Sequence, residues 1–273
     1  MIRLVRMSLM VAMLCVPRLA FATWSVVAVN AKTGQSVVAS ATCVTGANLV
    51  RRAPPFGLRS IQAIVVPGKA AAAAQANVDS TFANQKLIYD ELQKGTPPSD
   101  ILALLSSDPA FQSRQFGIID MTGRAAGHSG SANQAASLHA QGQVPGEPIY
   151  YSIQGNILAS DAVVHDAVKA FIAAKGELTD RVMAAMEAAD AKGGDKRCSC
   201  DSLPKTPAPC TIKTSHIAYI LLAEKTDTNK ASYSDGDYKM FISVSEADIK
   251  ADEDADPVKT LRLRYDAWKK LKL

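Results

Sequence analysis

The residues best suited to chemistry lie at the junction Ala20-Phe21-Ala22-Thr23. Ala20-x-Ala22 is the small-residue pattern that signal peptidases cut, and it follows two arginines and the apolar run 7–16. That run is too short to span a bilayer, so residues 1–22 are predicted to form a signal peptide. Cleavage after Ala22 would leave Thr23 as the first residue of an exported protein.

A threonine at a new N-terminus carries two reactive groups. Its hydroxyl can act as a nucleophile, and its own α-amine can act as the general base. An α-amine has a pKa of about 7.7–8.0, so a useful fraction is uncharged at neutral pH. Thr23 is therefore the candidate catalytic nucleophile. The alternative is that Thr23 is merely the residue that follows the cleavage site.

Two further polar positions are candidates for the catalytic set. Asn156 follows a predicted strand and could donate its side-chain N–H to an oxyanion, or else adopt a left-handed turn or cap the next helix. Asp195 follows Gly193-Gly194 and precedes Arg197. This acid–base pair could orient the Thr23 amine or hold a charged substrate group, with Arg197 binding substrate, or form a structural ion pair.

Three other side chains are candidates for substrate binding. Lys69 could bind a substrate carboxylate or lower the pKa of the Thr23 amine, although a solvated lysine is the favoured interpretation. Gln75 could face the site or be exposed. His128 stands at a strand end, where a hydrogen-bonded structural role is favoured. No spaced histidines, serine elbow or phosphate loop occur, so no metal and no cofactor are predicted.

The cysteines indicate an oxidising compartment. Cys15 lies in the predicted signal peptide, which leaves Cys43, Cys198, Cys200 and Cys210. An even number in an exported chain predicts disulfides, and the sequence alone allows three pairings. One bridge is expected to join Cys43 to the later cluster. A zinc site made of the same four residues is the alternative, although their spacing is not a standard zinc pattern.

Composition excludes some classes of partner. The 273 residues are 48% hydrophobic and 21% charged, as in ordinary globular proteins. The formal net charge is +4, but three of the 30 basic residues are arginines within 1–22, so the exported part is nearly neutral. No nucleic-acid partner is predicted, and no membrane association is expected once the signal peptide is removed. A periplasmic or secreted location follows.

The periodicity of apolar residues predicts an α+β fold, with paired strands followed by paired helices. A hairpin of strands 24–29 and 35–42 begins at the candidate nucleophile, and Ser129–Gly146 is predicted to be a surface loop. Further strands are predicted over 61–66, 115–119, 124–128, 150–154, 217–223 and 240–244. Helices are predicted over 70–92, 100–105, 161–174, 179–191 and 257–271, the last capped by Asp256 with Pro257 at its first position. Residues 23–273 are predicted to form one domain.

Short motifs in a fixed order make the chain resemble a known family. They are Thr23-Trp24-Ser25-Val26-Val27-Ala28, Pro67-Gly68-Lys69-Ala70, Gln75-Ala76, Arg114-Gln115-Phe116-Gly117, His128-Ser129-Gly130, Gln154-Gly155-Asn156-Ile157-Leu158, Gly193-Gly194-Asp195-Lys196-Arg197 and Tyr265-Asp266-Ala267-Trp268. They resemble the DUF1028 family, which is assigned to the N-terminal nucleophile (Ntn) hydrolase superfamily. The resemblance implies a four-layer α-β-β-α sandwich and a homodimer. Members often have Ser-Lys in the second strand, whereas here Ser40, a further substrate-binding candidate, precedes Ala41.

The predicted function is therefore that of an exported amidohydrolase or peptidase with Thr23 as nucleophile. Its substrate would be a small amide or a cell-wall peptide fragment. The alternative is a non-catalytic exported binding protein built on the same scaffold.

Overall fold

The computed structural model describes residues 23–50 and 57–271. The predicted signal peptide, residues 1–22, lies outside them. Within the described residues, no helix has both the length and the apolar character needed to cross a membrane.

In the described part of the chain, ten strands form two antiparallel sheets, which confirms the mixed α+β class. A six-stranded sheet has the order β10-β9-β2-β1-β8-β7, and a four-stranded sheet has the order β3-β4-β5-β6. The strands are β1 Thr23–Asn30, β2 Gln35–Thr42, β3 Ala63–Val66, β4 Ala70–Ala76, β5 Arg114–Asp120, β6 Ala125–Ser129, β7 Leu138–Gln143, β8 Ile149–Asn156, β9 Ile217–Ala223 and β10 Met240–Ser245. β1 lies between β2 and β8, at the centre of the larger sheet.

The helices of the described residues are α1 Gly46–Val50, α2 Leu58–Gln62, α3 Ala83–Lys94, α4 Pro98–Leu105, α5 Ala162–Ala173, α6 Leu178–Ala191 and α7 Pro257–Lys270. Helices α3 to α7 cover the outer faces of the two sheets, whereas α1 and α2 contribute apolar residues to the cluster between the sheets. One apolar cluster joins α5, α6 and α7 to the six-stranded sheet, and another joins α3 and α4 to the four-stranded sheet. A third apolar cluster contains residues of both sheets.

Alternation along β1 directs its side chains to two different faces, because successive residues of a strand point in opposite directions. Trp24, Val26 and Ala28 belong to the cluster that contains α5, α6 and α7. Val27 and Val29 belong to the cluster shared by the two sheets. Thr23 has the same parity as Val27, so its side chain lies on the face that is turned toward the four-stranded sheet.

The helix predicted over 70–92 is wrong in its first part. Residues Ala70–Ala76 form strand β4, and the helix α3 begins only at Ala83. Alanine has a high helix propensity, but here it serves packing, because β4 lies between β3 and β5 and is buried on both faces. Ala71 and Ala73 lie between the sheets, and Ala70, Ala72 and Ala74 lie toward α3 and α4.

Two other predicted elements also differ from the structure. The predicted surface loop 129–146 contains an edge strand, Leu138–Gln143, which pairs with β8. The strand predicted over 61–66 begins later, because Leu58–Gln62 form a short helix. The remaining predicted strands and helices occur within a few residues of their expected bounds.

The four cysteines of the described chain form two disulfides. Cys43 pairs with Cys198 across 155 residues of sequence, and Cys200 pairs with Cys210. The expected link from Cys43 to the later cluster is therefore present. The four-cysteine zinc alternative is not realised, because disulfide sulfurs are not available as thiolate ligands.

Candidate functional site

Thr23 begins β1 at a position enclosed by neighbouring strands. It pairs with Thr42 of β2 on one side and with Asn156 of β8 on the other. Its side-chain hydroxyl donates to Oγ1 of Thr42 at 3.3 Å, and the residue is only 2% exposed. The candidate nucleophile is thus held at the end of the central strand, on the face between the sheets.

Buried amide side chains fill the space between the sheets next to Thr23. We call this set the amide cluster; it consists of Gln62, Gln75, Gln115, Gln154 and Asn156, together with the hydroxyls of Ser25 and Ser152. These residues come from α2 and from strands of both sheets. The cluster therefore connects the two sheets through hydrogen bonds at the end where β1 begins.

Gln75 lies at the centre of the cluster. Its Nε2 donates to the backbone carbonyl of Thr23 at 3.1 Å and to Oε1 of Gln115 at 2.6 Å. Its Oε1 accepts from Oγ of Ser25 at 2.7 Å and from Nε2 of Gln62 at 2.8 Å. One side chain thus ties the first residue of β1 to the opposite sheet. Such a pairing is required, since a buried amide without partners costs free energy.

Asn156 stands directly beside Thr23 as the last residue of β8. Its Nδ2 donates to Oε1 of Gln115 at 3.1 Å. The Nε2 of Gln115 in turn donates to the Gly155 carbonyl at 2.8 Å and to Oγ of Ser129 at 2.7 Å. Gln115 therefore fixes the orientation of the Asn156 amide. The Asn156 amide is thus held in one orientation at the strand position paired with Thr23.

A glycine makes room for part of the cluster. Gly117 lies two residues along β5 from Gln115, on the same face of the strand. A Cβ at this position would lie 2.1 Å from Oε1 of Gln154 and 2.5 Å from Oγ of Ser152. The Gln154 side chain occupies that space and donates from Nε2 to Ser25 at 2.6 Å. Any larger residue at 117 would displace the amide cluster.

Unusual backbone conformations follow two of the cluster residues. Ala76, directly after Gln75, has φ 74°, and Ile157, directly after Asn156, has φ 53°. A non-glycine residue in this left-handed region costs about 1–2 kcal/mol, and a β-branched one is an outlier. Strain of this kind gathers where a structure holds functional groups in place. It marks the ends of β4 and β8 beside Thr23.

Asp195 and Arg197 form an ion pair at the neighbouring end of β2. Asp195 is fully buried, and its carboxylate accepts from the Cys43 backbone N–H at 2.8 Å. Both Nε and Nη2 of Arg197 donate to it, at 3.0 and 2.7 Å. The carboxylate thus fixes the backbone one residue beyond Thr42, the partner of Thr23. Through that backbone it can act on the site as a positioning group.

The other predicted site residues lie at different distances from Thr23. Ser40 is two residues from Thr42 on β2, and its hydroxyl donates to the Trp24 carbonyl at 2.6 Å. Lys69 lies in the β3–β4 turn, roughly 20 Å along β4 from Gln75, and its Nζ donates to the Gln93 carbonyl at 3.1 Å. The fold therefore brings Ser40 near the site and places Lys69 at the opposite end of the sheet.

His128 also lies away from Thr23. It stacks on the ring of Phe111 with 3.7 Å between ring centroids, and its Nε2 contacts the Phe111 carbonyl at 3.0 Å. Its strand neighbours Gly127 and Ser129 pair with the inward-facing residues of β5, so His128 occupies the outer face of the four-stranded sheet. Burial lowers the pKa of His128. These contacts match the structural role that the sequence favours.

Comparisons with known proteins agree with this architecture. A family model described as "Family of unknown function (DUF1028)" matches residues 23–203, so its match begins at Thr23. The chain belongs to the DUF1028 family. No curated protein matches the chain.

A solved DUF1028 structure shares the fold. It is the crystal structure of protein SPO2555 from Silicibacter pomeroyi, with a TM-score of 0.63 and 19% sequence identity. The alignment covers 90% of this chain and 88% of that one. At this identity the likeness shows the fold alone.

Sequence reasoning missed most of the amide cluster. The sequence does not point to Gln62 or Gln115 as site residues, and it predicts a helix at Gln75, which lies in β4. The available signal was parity within strands. On β1 and β8, alternate residues from the Thr23 end are polar, with Thr23 and Ser25 on one and Asn156 and Gln154 on the other. Alternate polar residues on the inward face of two paired strands indicate that the space between the sheets is polar there.

Proposed function

We propose that the exported form of this protein is an amide hydrolase in which Thr23 is both nucleophile and base. The observation that carries the proposal is the position of Thr23. It begins the central strand, on the face between the sheets, with its hydroxyl beside Thr42 and Asn156. The start of the family match at residue 23 supports the same N-terminus.

The layering of the molecule supports assignment to the Ntn-hydrolase sandwich. Helices cover the outer face of each sheet, and the two sheets share an inner cluster. In the proposed scheme this is a four-layer α-β-β-α arrangement with the nucleophile at the end of an inner strand. The two disulfides support a periplasmic or secreted location, since such bonds persist in oxidising compartments.

The proposed reaction proceeds in two steps. The free amine of Thr23 takes the hydroxyl proton while Oγ1 attacks the carbonyl carbon of the amide. The leaving nitrogen takes that proton as the C–N bond breaks, which gives an ester on Thr23. Water then attacks the ester, with the amine again as base, and releases the acid. Asn156 supplies the N–H donor for the oxyanion in both steps.

Determining the mature N-terminus tests the proposal at its first requirement. The protein is exported from a bacterial host and analysed by intact mass and N-terminal sequencing. We expect Thr23 as the first residue. Retention of Ala22 would block the amine, overturn the proposal and favour the alternative, a non-catalytic exported binding protein.

Labelling with an electrophile then tests the nucleophile. The probe is a peptide epoxyketone, which can bond to the hydroxyl and the amine of one N-terminal residue. We expect labelling of the wild type and none of Thr23→Ala. The matched control is Thr33→Ala, which removes an exposed threonine in the turn after β1 and should label normally. Equal labelling of Thr23→Ala would rule Thr23 out as nucleophile.

A further inference from the structure

A buried histidine without a hydrogen-bond partner on Nδ1 lies beside the Cys43–Cys198 disulfide. One ring nitrogen of His216 and the two sulfurs all lie within 4.8 Å of one another. His216 is 2% exposed, and its Nδ1 has no hydrogen-bond partner among the described residues. A buried polar atom left unpaired costs about 1–3 kcal/mol, so this arrangement requires an explanation.

The backbone around His216 holds the ring beside the sulfurs. The His216 N–H donates to the Thr42 carbonyl at 2.7 Å, one residue before Cys43. The His216 carbonyl accepts from the Glu246 N–H at 2.9 Å. Both bonds are independent of the disulfide. The histidine therefore stays next to Cys43 whether the two sulfurs are bonded or not.

The His216 ring is chemically suited to bind a metal. Imidazole is the commonest metal-ligating side chain, and Nδ1 of His216 has no hydrogen-bond partner among the described residues.

We propose that reduction of the Cys43–Cys198 bond creates a zinc site whose protein ligands are Cys43, Cys198 and His216. Thiolate and imidazole are ligands that zinc favours, and three protein ligands leave a fourth position for water. The inference rests on this cluster alone and holds whether or not Thr23 is a nucleophile.

The chemistry balances with a dithiol as reductant. The dithiol gives two electrons and two protons to the disulfide and becomes a disulfide itself. The two new thiols lose their protons when Zn²⁺ binds, so the site carries no net charge. Both cysteines are only half-buried, so a reductant can reach them.

The spacing of the cysteines allows the required geometry. Two Zn–S bonds of about 2.3 Å in a tetrahedral site place the sulfurs roughly 3.7 Å apart. The Cα atoms of Cys43 and Cys198 are 5.7 Å apart, so rotation of the two side chains can reach that separation. The backbone hydrogen bonds of this region need not break.

Cobalt binding to the reduced protein tests the proposal. The double variant Cys200→Ser, Cys210→Ser removes the other thiol pair. It is reduced with a phosphine, desalted under nitrogen and titrated with Co²⁺. We expect one equivalent to bind with thiolate-to-cobalt charge-transfer absorption, and one equivalent of Zn²⁺ to displace it. Calorimetry in two buffers should show about two protons released per zinc. The oxidised protein should bind neither ion at this site.

Substitution of His216 distinguishes metal binding by the three-ligand site from binding by the two thiols alone. In the same background, His216→Gln should weaken cobalt binding by more than about 100-fold, since loss of an outer partner alone costs 10–100-fold. The matched control His165→Gln changes an exposed histidine on α5 and should have no effect. Equal affinity in His216→Gln, no binding at all, or loss of near-UV circular dichroism in the zinc-loaded protein would each overturn the proposal.

Discussion

The space between the two sheets has two halves of opposite character. In the apolar half, Val27, Val38, Ala73 and Ile119 belong to one continuous hydrophobic cluster. In the polar half, three of these strands present Thr23, Gln75 and Gln115 instead. The change occurs within single strands, since Ser25 and Val27 are adjacent inward-facing residues of β1. Whether an inward-facing residue is polar or apolar therefore depends on its position along the strand, and not on which sheet the strand belongs to.

The two halves make different contributions to the protein. Each apolar side chain that is fully buried contributes about 1.5–3 kcal/mol to stability. A buried amide network only offsets its own desolvation when every member is paired. The cluster also leaves Oε1 of Gln62 without a hydrogen-bond partner among the described residues, so we expect it to contribute little net stability.

The largest expected effect separates turnover from stability at Thr23. Under the proposed mechanism, Thr23→Ala should lower turnover of a hydrolysed amide by at least about a thousandfold, because the nucleophile is lost. Its free energy of unfolding should change by less than about 1 kcal/mol, since one hydrogen bond to Thr42 is removed. Turnover by Thr23→Ser and Thr23→Cys should remain measurable. Normal turnover in Thr23→Ala would show that the polar half does not serve catalysis by Thr23.

Truncation in the apolar half should have the reverse profile. Ile119→Ala removes a fully buried side chain from the cluster shared by both sheets, and should cost about 3 kcal/mol of stability. Urea unfolding measures this cost. Ile118→Ala, on the opposite face of β5, is the control and should cost a similar amount. Neither variant should change the rate per folded molecule; a specific loss of rate in Ile119→Ala alone would contradict the division.

Loss of pairing in the polar half should cost somewhat less. Gln115→Met keeps the length of the side chain but leaves the donors of Gln75 and Asn156 without their acceptor. The expected loss is about 2 kcal/mol of stability, with a fall in turnover because Asn156 is no longer oriented. Gln143→Met, on the exposed face of an edge strand, is the control and should stay within about 0.5 kcal/mol. An equal effect in both variants would show that the cluster is not a connected unit.

The amide cluster should contribute least to the pH dependence of stability, because it contains no ionisable side chain. A different buried pair should supply the pH dependence of stability. Burial raises the pKa of Asp190 to about 7, with a further contribution from the charge of Asp256, and both carboxyls share the Thr214 hydroxyl. The folded state therefore binds more protons than the unfolded state between about pH 4 and 7, so stability falls as pH rises through this window.

Asp190→Asn should remove that loss. Its melting temperature should exceed the wild-type value at pH 8 by an amount that corresponds to about 4 kcal/mol, because the pKa rises from about 4 to about 7 at about 1.4 kcal/mol per unit. At pH 4 the two melting temperatures should be equal. Thermal melts at a series of pH values measure the difference. The control is Asp252→Asn, which changes an exposed carboxylate. If the stability of Asp190→Asn depends on pH as that of the wild type does, another ionisable group causes the pH dependence.

Much of the outer frame could be predicted from local sequence. The last helix begins as expected, with Asp256 accepting from the Val258 N–H and Pro257 at the first position. The hairpin at Thr23 and strand β9 also follow from the alternation of apolar residues. These elements depend on interactions between residues close in sequence, so their capping and burial patterns can be recognised within short segments.

The candidate site could be predicted only in part. Thr23 and Asn156 were recognisable by type and position, and the strands pair them directly. The role of Gln75 was not, because alanine propensity favours a helix at residues 70–76. This segment is a strand, with Gln75 turned inward, only because it pairs with β3 on one side and with β5 on the other.

The α+β class, the terminal hairpin and an even number of cysteines after residue 22 follow from the sequence alone. Which cysteines pair, which amides meet between the sheets, and where Lys69 and His216 lie relative to Thr23 and Cys43 depend on the tertiary structure. Propensity, capping and periodicity act between residues close in sequence. Contacts such as Cys43–Cys198 and Gln154–Ser25 join segments more than a hundred residues apart, so only packing of the whole chain selects them.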